Sequence, residues 1–569
     1  MKNLKKRLLP LCLLFFYLPG FSQEDSVLKA MRDEMNRTIL KLKLHDLSAP
    51  YFTAYYVAES SDYYIAASFG DIKQADVSTG RNANVDVRIG GKNFDNSHFI
   101  SSFHAYKPIS GSLPISDDYD AVRKSLWLLS DEAYKSALEK YSQKDSYKKK
   151  KDIKEIYGDL NDEGPADYAE IEKEFEFFDF GFYKQQLKEI SAVFKKYPNI
   201  QDSNVSMNYS VITRRFVNSQ GTTYKVFSSE AEINASISMQ NEDGYKIDEN
   251  KKIFRRSLKS LNFEKIKKEI EEFAKEFNGV YNSRKLEYYV GPAIFEDQAS
   301  AEFFNQLFVK NISFNPKPWA EEDNVLKYYY EIPKLVDRIN MRVFAPFISV
   351  YDDPLQETFN GTELTGRYAI DSEGVKPRRL ELVKKGKLEA VYASRTPDKK
   401  IKNSNGHGRM TSNSFASASA GNVFINSDKK AGYKELKDKL MEIGREMELD
   451  YVVIIRKINV YREGEEYLGN PSLAYKLDLK TLKEEPLNLV EFEGIGLRSL
   501  RDIVLTSDNH MVYNFRQDDP YVYTYGNYPT AIISPYAVLI SEIELKKSDK
   551  KPEKKPYLAN PYFAGKTAQ

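Results

Sequence analysis

Residues 291–309 read GPAIFEDQASAEFFNQLFV. Ahead of them Tyr288, Tyr289 and Val290, and within them Ala293, Ile294 and Phe295, make an apolar strand end that runs into the acidic turn Glu296–Asp297. From Gln298 onward Ala299, Phe303, Phe304, Leu307 and Phe308 recur at helical spacing, so a strand is expected to feed a helix. Such a junction is a common mount for a metal or a nucleophile. This helix has no His and no Cys, and its single acid is Glu302. Whether it is a core helix or a catalytic helix without its chemistry has to be decided by the rest of the chain.

Before this junction, helical and strand patterns mix. VLKAMRDEMNRTILKLKL puts Leu28, Met31, Met35, Ile39 and Leu42 on one face. YFTAYYVAE, YYIAASFG, IKQADVST and NVDVRIGG read as four strands of an antiparallel meander. Asp117 or Asp118 caps an expected helix from Tyr119 to about Tyr141, with a charged continuation, and DFGFYKQQLKEISAVFKKYP is a further amphipathic helix closed by Pro198. NSQGT at 218–222 is a turn between two β-rich runs. FEKIKKEIEEFAKEFNG is a charged amphipathic helix with Gly279 as its expected stop. After it come mostly strands and long loops, a Lys385–Gly386 hairpin turn and one clear helix at 433–447. The expected fold is α+β, in two domains built on antiparallel sheets. An N-terminal α+β domain spans 24–284, with a helical insertion near 118–197. A β-dominated domain spans 285–545, and a Lys/Pro-rich tail, expected to be disordered, spans 546–569.

Residues 1–23 read as a cleavable export signal: the basic MKNLKKR, the apolar LLPLCLLFFYLPG, then GFSQ. The apolar run is short for a membrane span. Cys12, the chain's single cysteine, lies in it, and the residues before it lack the small side chains of a lipid-attachment site. Export to the periplasm or beyond is expected, without lipidation. The mature chain would then have no thiol and no disulfide. No later stretch is apolar enough to span a membrane. A formal net charge of +1 for the whole 569-residue chain gives no electrostatic reason to expect a nucleic-acid partner.

The five histidines, at 45, 98, 104, 407 and 510, never pair at i, i+4, and no Cys/His cluster exists. Zinc needs three or four converging ligands, usually anchored by such a pair. No G-x-S-x-G elbow occurs, and S-x-x-K spacings such as Ser146–Lys149 fall mostly in solvated, Lys-rich stretches.

The chain nevertheless resembles the TldD/PmbA (TldD/TldE) family, in its secreted, metallopeptidase-related branch. The resemblance is carried by DDP (352–354), DSEGV (371–375) with Arg378–Arg379, KKGKL (384–388) and SNGHGR (404–409). Further back it is carried by VNSQGT (217–222), GPAIFEDQASAEFF and several N-terminal stretches. In TldD-like members the helix after this strand carries H-E-x-x-x-H, two zinc ligands and a general base. The equivalent positions here are Phe304, Asn305 and Val309. Phe and Val have no lone pair for a metal, and Asn cannot take a proton from water. The resemblance is therefore to the PmbA/TldE-type half. It implies a non-catalytic subunit that pairs with a zinc-bearing TldD-like partner, or a homodimer, around a peptide-binding cavity. No metal is expected in this chain. Candidate substrate or interface contacts are Asn218, Gly221, Asp371, Glu373, Gly374, Asn405, Gly406, His407 and Arg409. The alternatives are a stand-alone peptidase with an unrecognised site, such as carboxylates with His407, and a non-enzymatic peptide-binding protein of the envelope.

Overall fold

The computed structural model describes residues 25–101, 104–105, 107–170, 175–281, 283–330, 332–410, 415–460, 468–518 and 527–555. The expected export signal and the last fourteen residues of the tail lie outside the described residues.

Helix α1 (Ser26–Lys41) leads into two very long strands, β1 (Pro50–Ser68) and β2 (Asp71–Gly91). The four expected strands are thus two. Ser60 faces Gly80 and Ser61 faces Thr79 in unbroken antiparallel register, and the only turn is at Phe69–Gly70. The polar residues between the expected strands sit in mid-ribbon. Polar side chains end a strand only where the backbone must also turn, and here it does not. Helix α2 (Tyr119–Lys150) starts where Asp118 accepts a hydrogen bond from the Ala121 N–H at 2.7 Å, and it absorbs the charged continuation. Asp179 caps α3 (Phe180–Ser191) in the same way.

Strands β3 (Asp202–Asn218), β4 (Thr223–Gln240) and β5 (Lys246–Arg255) complete the first sheet, in the order β5-β4-β3-β1-β2. One face of it is covered by α1, α2 and α3 and by α4 (Phe263–Tyr281). Helix α4 runs through Gly279, where a Cβ would meet no neighbour; burial of Phe277 and Val280 outweighs the modest helix cost of one glycine.

The junction that opened the sequence reading is β6 (Tyr288–Glu296) followed by α5 (Gln298–Leu307). Past it, β7 (Ile348–Asp352), β8 (Leu380–Lys384) and β9 (Asn422–Ser427) precede α6 (Tyr433–Glu446), whose end agrees with the sequence reading. Then come β10 (Tyr451–Ile458), β11 (Pro471–Asp478), β12 (Glu484–Asn488), β13 (Ile503–Ser507), β14 (His510–Asp518), β15 (Asn527–Pro535) and β16 (Ala537–Lys547). They form two sheets, with cores β12-β11-β10-β6-β16-β13 and β8-β7-β9-β15-β14. Most pairs are antiparallel, as expected of this α+β fold, but β6–β10 and β9–β15 are parallel.

Helix α5 lies between these two sheets, buried on every side. Phe303, Phe304, Leu307 and Phe308 are inaccessible to solvent. Each buried side chain of this size contributes about 1.5–3 kcal/mol. At the far end the tail is ordered further than its composition suggests. Lys546 and Lys547 belong to β16, and the Glu553 N–H donates to the Gly244 carbonyl at 2.9 Å. Among the described residues no helix is long and apolar enough to cross a membrane.

Candidate functional site

The uncovered face of the first sheet forms one wall of a cleft of about 2170 Å³. Strand register builds this wall. Ala58 pairs with Arg214, Ser60 with Ile212 and Asp62 with Ser210, while across the next ladder Arg214 pairs with Val226, Ile212 with Ser228 and Ser210 with Glu230. Because side chains alternate along a strand, all these even-numbered residues share one face. The opposite wall comes from α5, β10, the 365–372 loop and β14.

Ion pairs span the cleft. Arg516 on β14 reaches Glu230 on β4, and Lys457 on β10 reaches Glu249 on β5. Behind them Arg456 holds Glu296 at 2.7 Å and Glu484 at 2.8 Å. Apart from Glu296, read as part of a turn, none of these residues was singled out in the sequence. The available signal was the polar residue at every second position of β3 and β4, which marks strands with one wet face.

Helix α5 presents only part of itself to the cleft. Glu302 and Asn305 line it. Phe304 (0% exposed) packs on Phe303 and Phe344 in the core, and Val309 (1% exposed) lies in a 3-10 turn after the helix has ended. These two positions, where the resemblance puts metal ligands, carry hydrocarbon embedded in hydrocarbon. They do not fit a metal ion. Among the described residues no three of His, Cys, Asp and Glu converge so as to hold one.

The other sequence candidates are drawn together, but mostly into a buried clasp between the two halves of the chain. Asp371 Oδ1 accepts the N–H groups of Glu373 (2.9 Å) and Val375 (2.8 Å), closing the DSEGV turn, and Oδ2 accepts the Gly408 N–H at 3.0 Å. Gly374, at φ +83°, lies against Thr222, and a Cβ there would stand 2.3 Å from Thr222 Cγ2. Asn218 Oδ1 accepts the N–H groups of Gln220 and Thr222, and Gly221 takes φ +89° to close that turn. Glu373 Oε2 accepts the Arg395 N–H at 2.8 Å, and the Arg395 guanidinium donates to Gln220 Oε1 and to the Asn161 carbonyl. The NSQGT and DSEGV turns thus hold each other. Burial, and the Glu373 carboxylate beside it, push Asp371 well above the usual carboxylate range. Burial lifts Glu373 to about 6, against the pull of Arg395.

The SNGHGR loop is equally structural. The Asn405 side chain bonds the Ala393 N–H and the Val391 carbonyl. Gly406, at φ +77°, leaves room for the Lys376–Pro377 backbone. His407 is fully buried, its ring tilted against that of Tyr392, with Nδ1 3.1 Å from the Asn405 carbonyl and Nε2 3.6 Å from Asp352. Asp352 in turn accepts the N–H groups of Gly421 and Asn422 and the Tyr392 hydroxyl. Of the nine candidates only Asp371 and Arg409 line the cleft. Arg409 lies 4.3 Å above the Tyr368 ring and near Tyr528.

Residues 289–545 match the PmbA/TldA metallopeptidase C-terminal domain. Solved structures share the fold over most of the chain. TldE from Thermococcus kodakarensis is 16% identical, covering 91% of this chain and 99% of its own, with a TM-score of 0.57. A protein named as a candidate modulator of a DNA gyrase from Thermotoga maritima is 15% identical, covering 87% and 96%, with a TM-score of 0.56. One so named from Bacteroides thetaiotaomicron is 11% identical, covering 91% and 98%, with a TM-score of 0.53. No curated protein matches in sequence. Residues 289–545 thus resemble the PmbA/TldA metallopeptidase C-terminal domain, and over most of its length the chain shares the fold found in TldE.

Proposed function

We propose that this chain is a non-catalytic, TldE-like subunit whose cleft forms part of a peptide-binding cavity shared with a zinc-bearing, TldD-like partner. The carrying observation is the pair Phe304 and Val309, which put core hydrocarbon where a TldD-like helix would put imidazoles. A wide cleft with both charges and a strand-built polar wall suits extended peptide or unfolded segments more than a small compact ligand. Zinc chemistry belongs, on this reading, to the partner. The mature protein works outside the cytoplasm, delivered by residues 1–23.

The test is the isolated mature chain, assayed for bound zinc and for peptidase activity with and without a chelator. Substoichiometric zinc and no chelator-sensitive activity are expected. Stoichiometric zinc, or activity that a chelator abolishes, would refute the reading.

A further inference from the structure

We infer that the cleft-facing side of α5 is a subsite for a primary ammonium group, with the Glu302 carboxylate and the Asn305 side-chain oxygen as its acceptors. The inference rests on the peptide-cleft reading and assigns a ligand chemistry to one place in it.

Glu302 is 1% exposed and Asn305 2% exposed, yet both line the cleft. The carboxylate is held by two side-chain amides, with the Tyr513 hydroxyl of β14 beside it. Its Oε2 accepts Asn305 Nδ2 at 3.1 Å and Gln306 Nε2 at 2.9 Å. Gln306 is itself fixed by the Asn459 carbonyl and the Gly469 N–H, so this arrangement is rigid. Glu302 Oε1 and Asn305 Oδ1 are left without a hydrogen-bond partner. Among the described residues no Lys, Arg or His forms an ion pair with Glu302 or with Asp297 at the head of the helix, which lines the same wall.

A buried carboxylate whose neighbours are two neutral amides and the neutral Tyr513 hydroxyl is costly, and the cost falls when a cation arrives. Two unpaired oxygen acceptors, one of them charged, match a group with three N–H donors. They fall short of the three or more protein ligands that a zinc site uses and of the six to eight oxygens around calcium. Two cations of this wall are already committed, Arg456 to Glu296 and Glu484 and Lys457 to Glu249, and Lys310, which follows the helix, forms no ion pair with Glu302 among the described residues. In a peptide, the ammonium is either a lysine side chain or the N-terminal amine.

The test is calorimetric titration of the full mature chain with two peptide pairs. One pair is acetyl-Ala-Lys-Ala-amide against its norleucine analogue, and the other is Ala-Ala-Ala-amide against its N-acetyl form. At least one ammonium peptide is expected to bind about tenfold or more tightly than its neutral twin. The first pair responding alone assigns the site to a lysine side chain, the second to the N-terminus. Glu302→Gln should erase that preference. Equal binding within both pairs by the wild-type chain, which needs no variant to interpret, would overturn the inference and leave the peptide cleft intact. A preference that survives in Glu302→Gln would overturn it as well. Binding of Mg²⁺, Ca²⁺ or Zn²⁺ alone that depends on Glu302 and blocks the peptides would reassign the site to a metal. Failure of all four peptides to bind would overturn the cleft reading and the ammonium subsite together.

Discussion

Substituting Gly374→Ala probes the contact by which the two halves of the chain hold each other. At φ +83° an alanine is strained by about 1–2 kcal/mol. Its Cβ would also lie 2.3 Å from Thr222 Cγ2, and forced overpacking costs about 1–3 kcal/mol more. The single variant should therefore lose about 2–5 kcal/mol. Thr222→Ser removes the obstructing methyl but keeps the hydroxyl, and by itself should cost about 1 kcal/mol for one buried methyl. In the double variant the clash is gone and only the backbone strain remains. The two changes should thus couple by about 1–3 kcal/mol in the favourable direction. Guanidinium unfolding of the four proteins, followed by circular dichroism, measures the cycle. Additive losses, with no coupling beyond about 0.5 kcal/mol, would show that the two turns do not meet as described.

Three further outcomes are expected. Glu373, lifted from 4.5 to about 6 by burial, keeps its proton in the folded chain after the unfolded chain has lost it. Glu373's share of the stability should therefore fall as pH rises from about 4.5 to 6, by about 2 kcal/mol, and Glu373→Gln, which can still accept the Arg395 N–H, should make the slope in pH-dependent unfolding shallower, leaving the part due to Asp371. Asp25 caps α1 and pairs with Arg215 and Lys225. These partners outweigh its burial and hold it at about 2, so its contribution is present above pH 4 and lost as pH falls toward 2. Asp25→Asn should cost about 1–2 kcal/mol at neutral pH and almost nothing at pH 2, as read by thermal unfolding. Phe304→His places an imidazole among Phe303 and Phe344, and should lose about 2–4 kcal/mol without gaining bound zinc, as measured by metal analysis of the folded fraction.

Local signals proved legible in the sequence where the cause is local. Asp118 and Asp179 cap the helices expected after them, and Lys385–Gly386, both at positive φ, turn the expected hairpin. The β6–α5 junction follows directly from apolar spacing. Long-range causes left weaker marks. Ser60, Ser61 and Gly80 look like turn residues until the partner strand is known, and Gly279 looks like a helix stop until Phe277 and Val280 are seen to be buried on both sides of it. The SNGHGR and DSEGV segments read as loops able to meet a ligand. Their polar groups are instead consumed by one another: Gly408 on Asp371, Asn405 on Ala393, Arg395 on Glu373. The cleft was hidden because its facing residues, such as Glu230 and Arg516, lie 286 residues apart. The α5 helix was the exception. The apolar character of Phe304 and of Val309 just beyond the helix could be read before the fold was known, and both are buried in the core.

The most direct measurement is a mild affinity purification of the tagged mature protein from its native envelope, followed by mass spectrometry. A relative carrying H-E-x-x-x-H is expected to co-purify near one-to-one. Recovery of this chain alone, as monomer or homodimer, would contradict it.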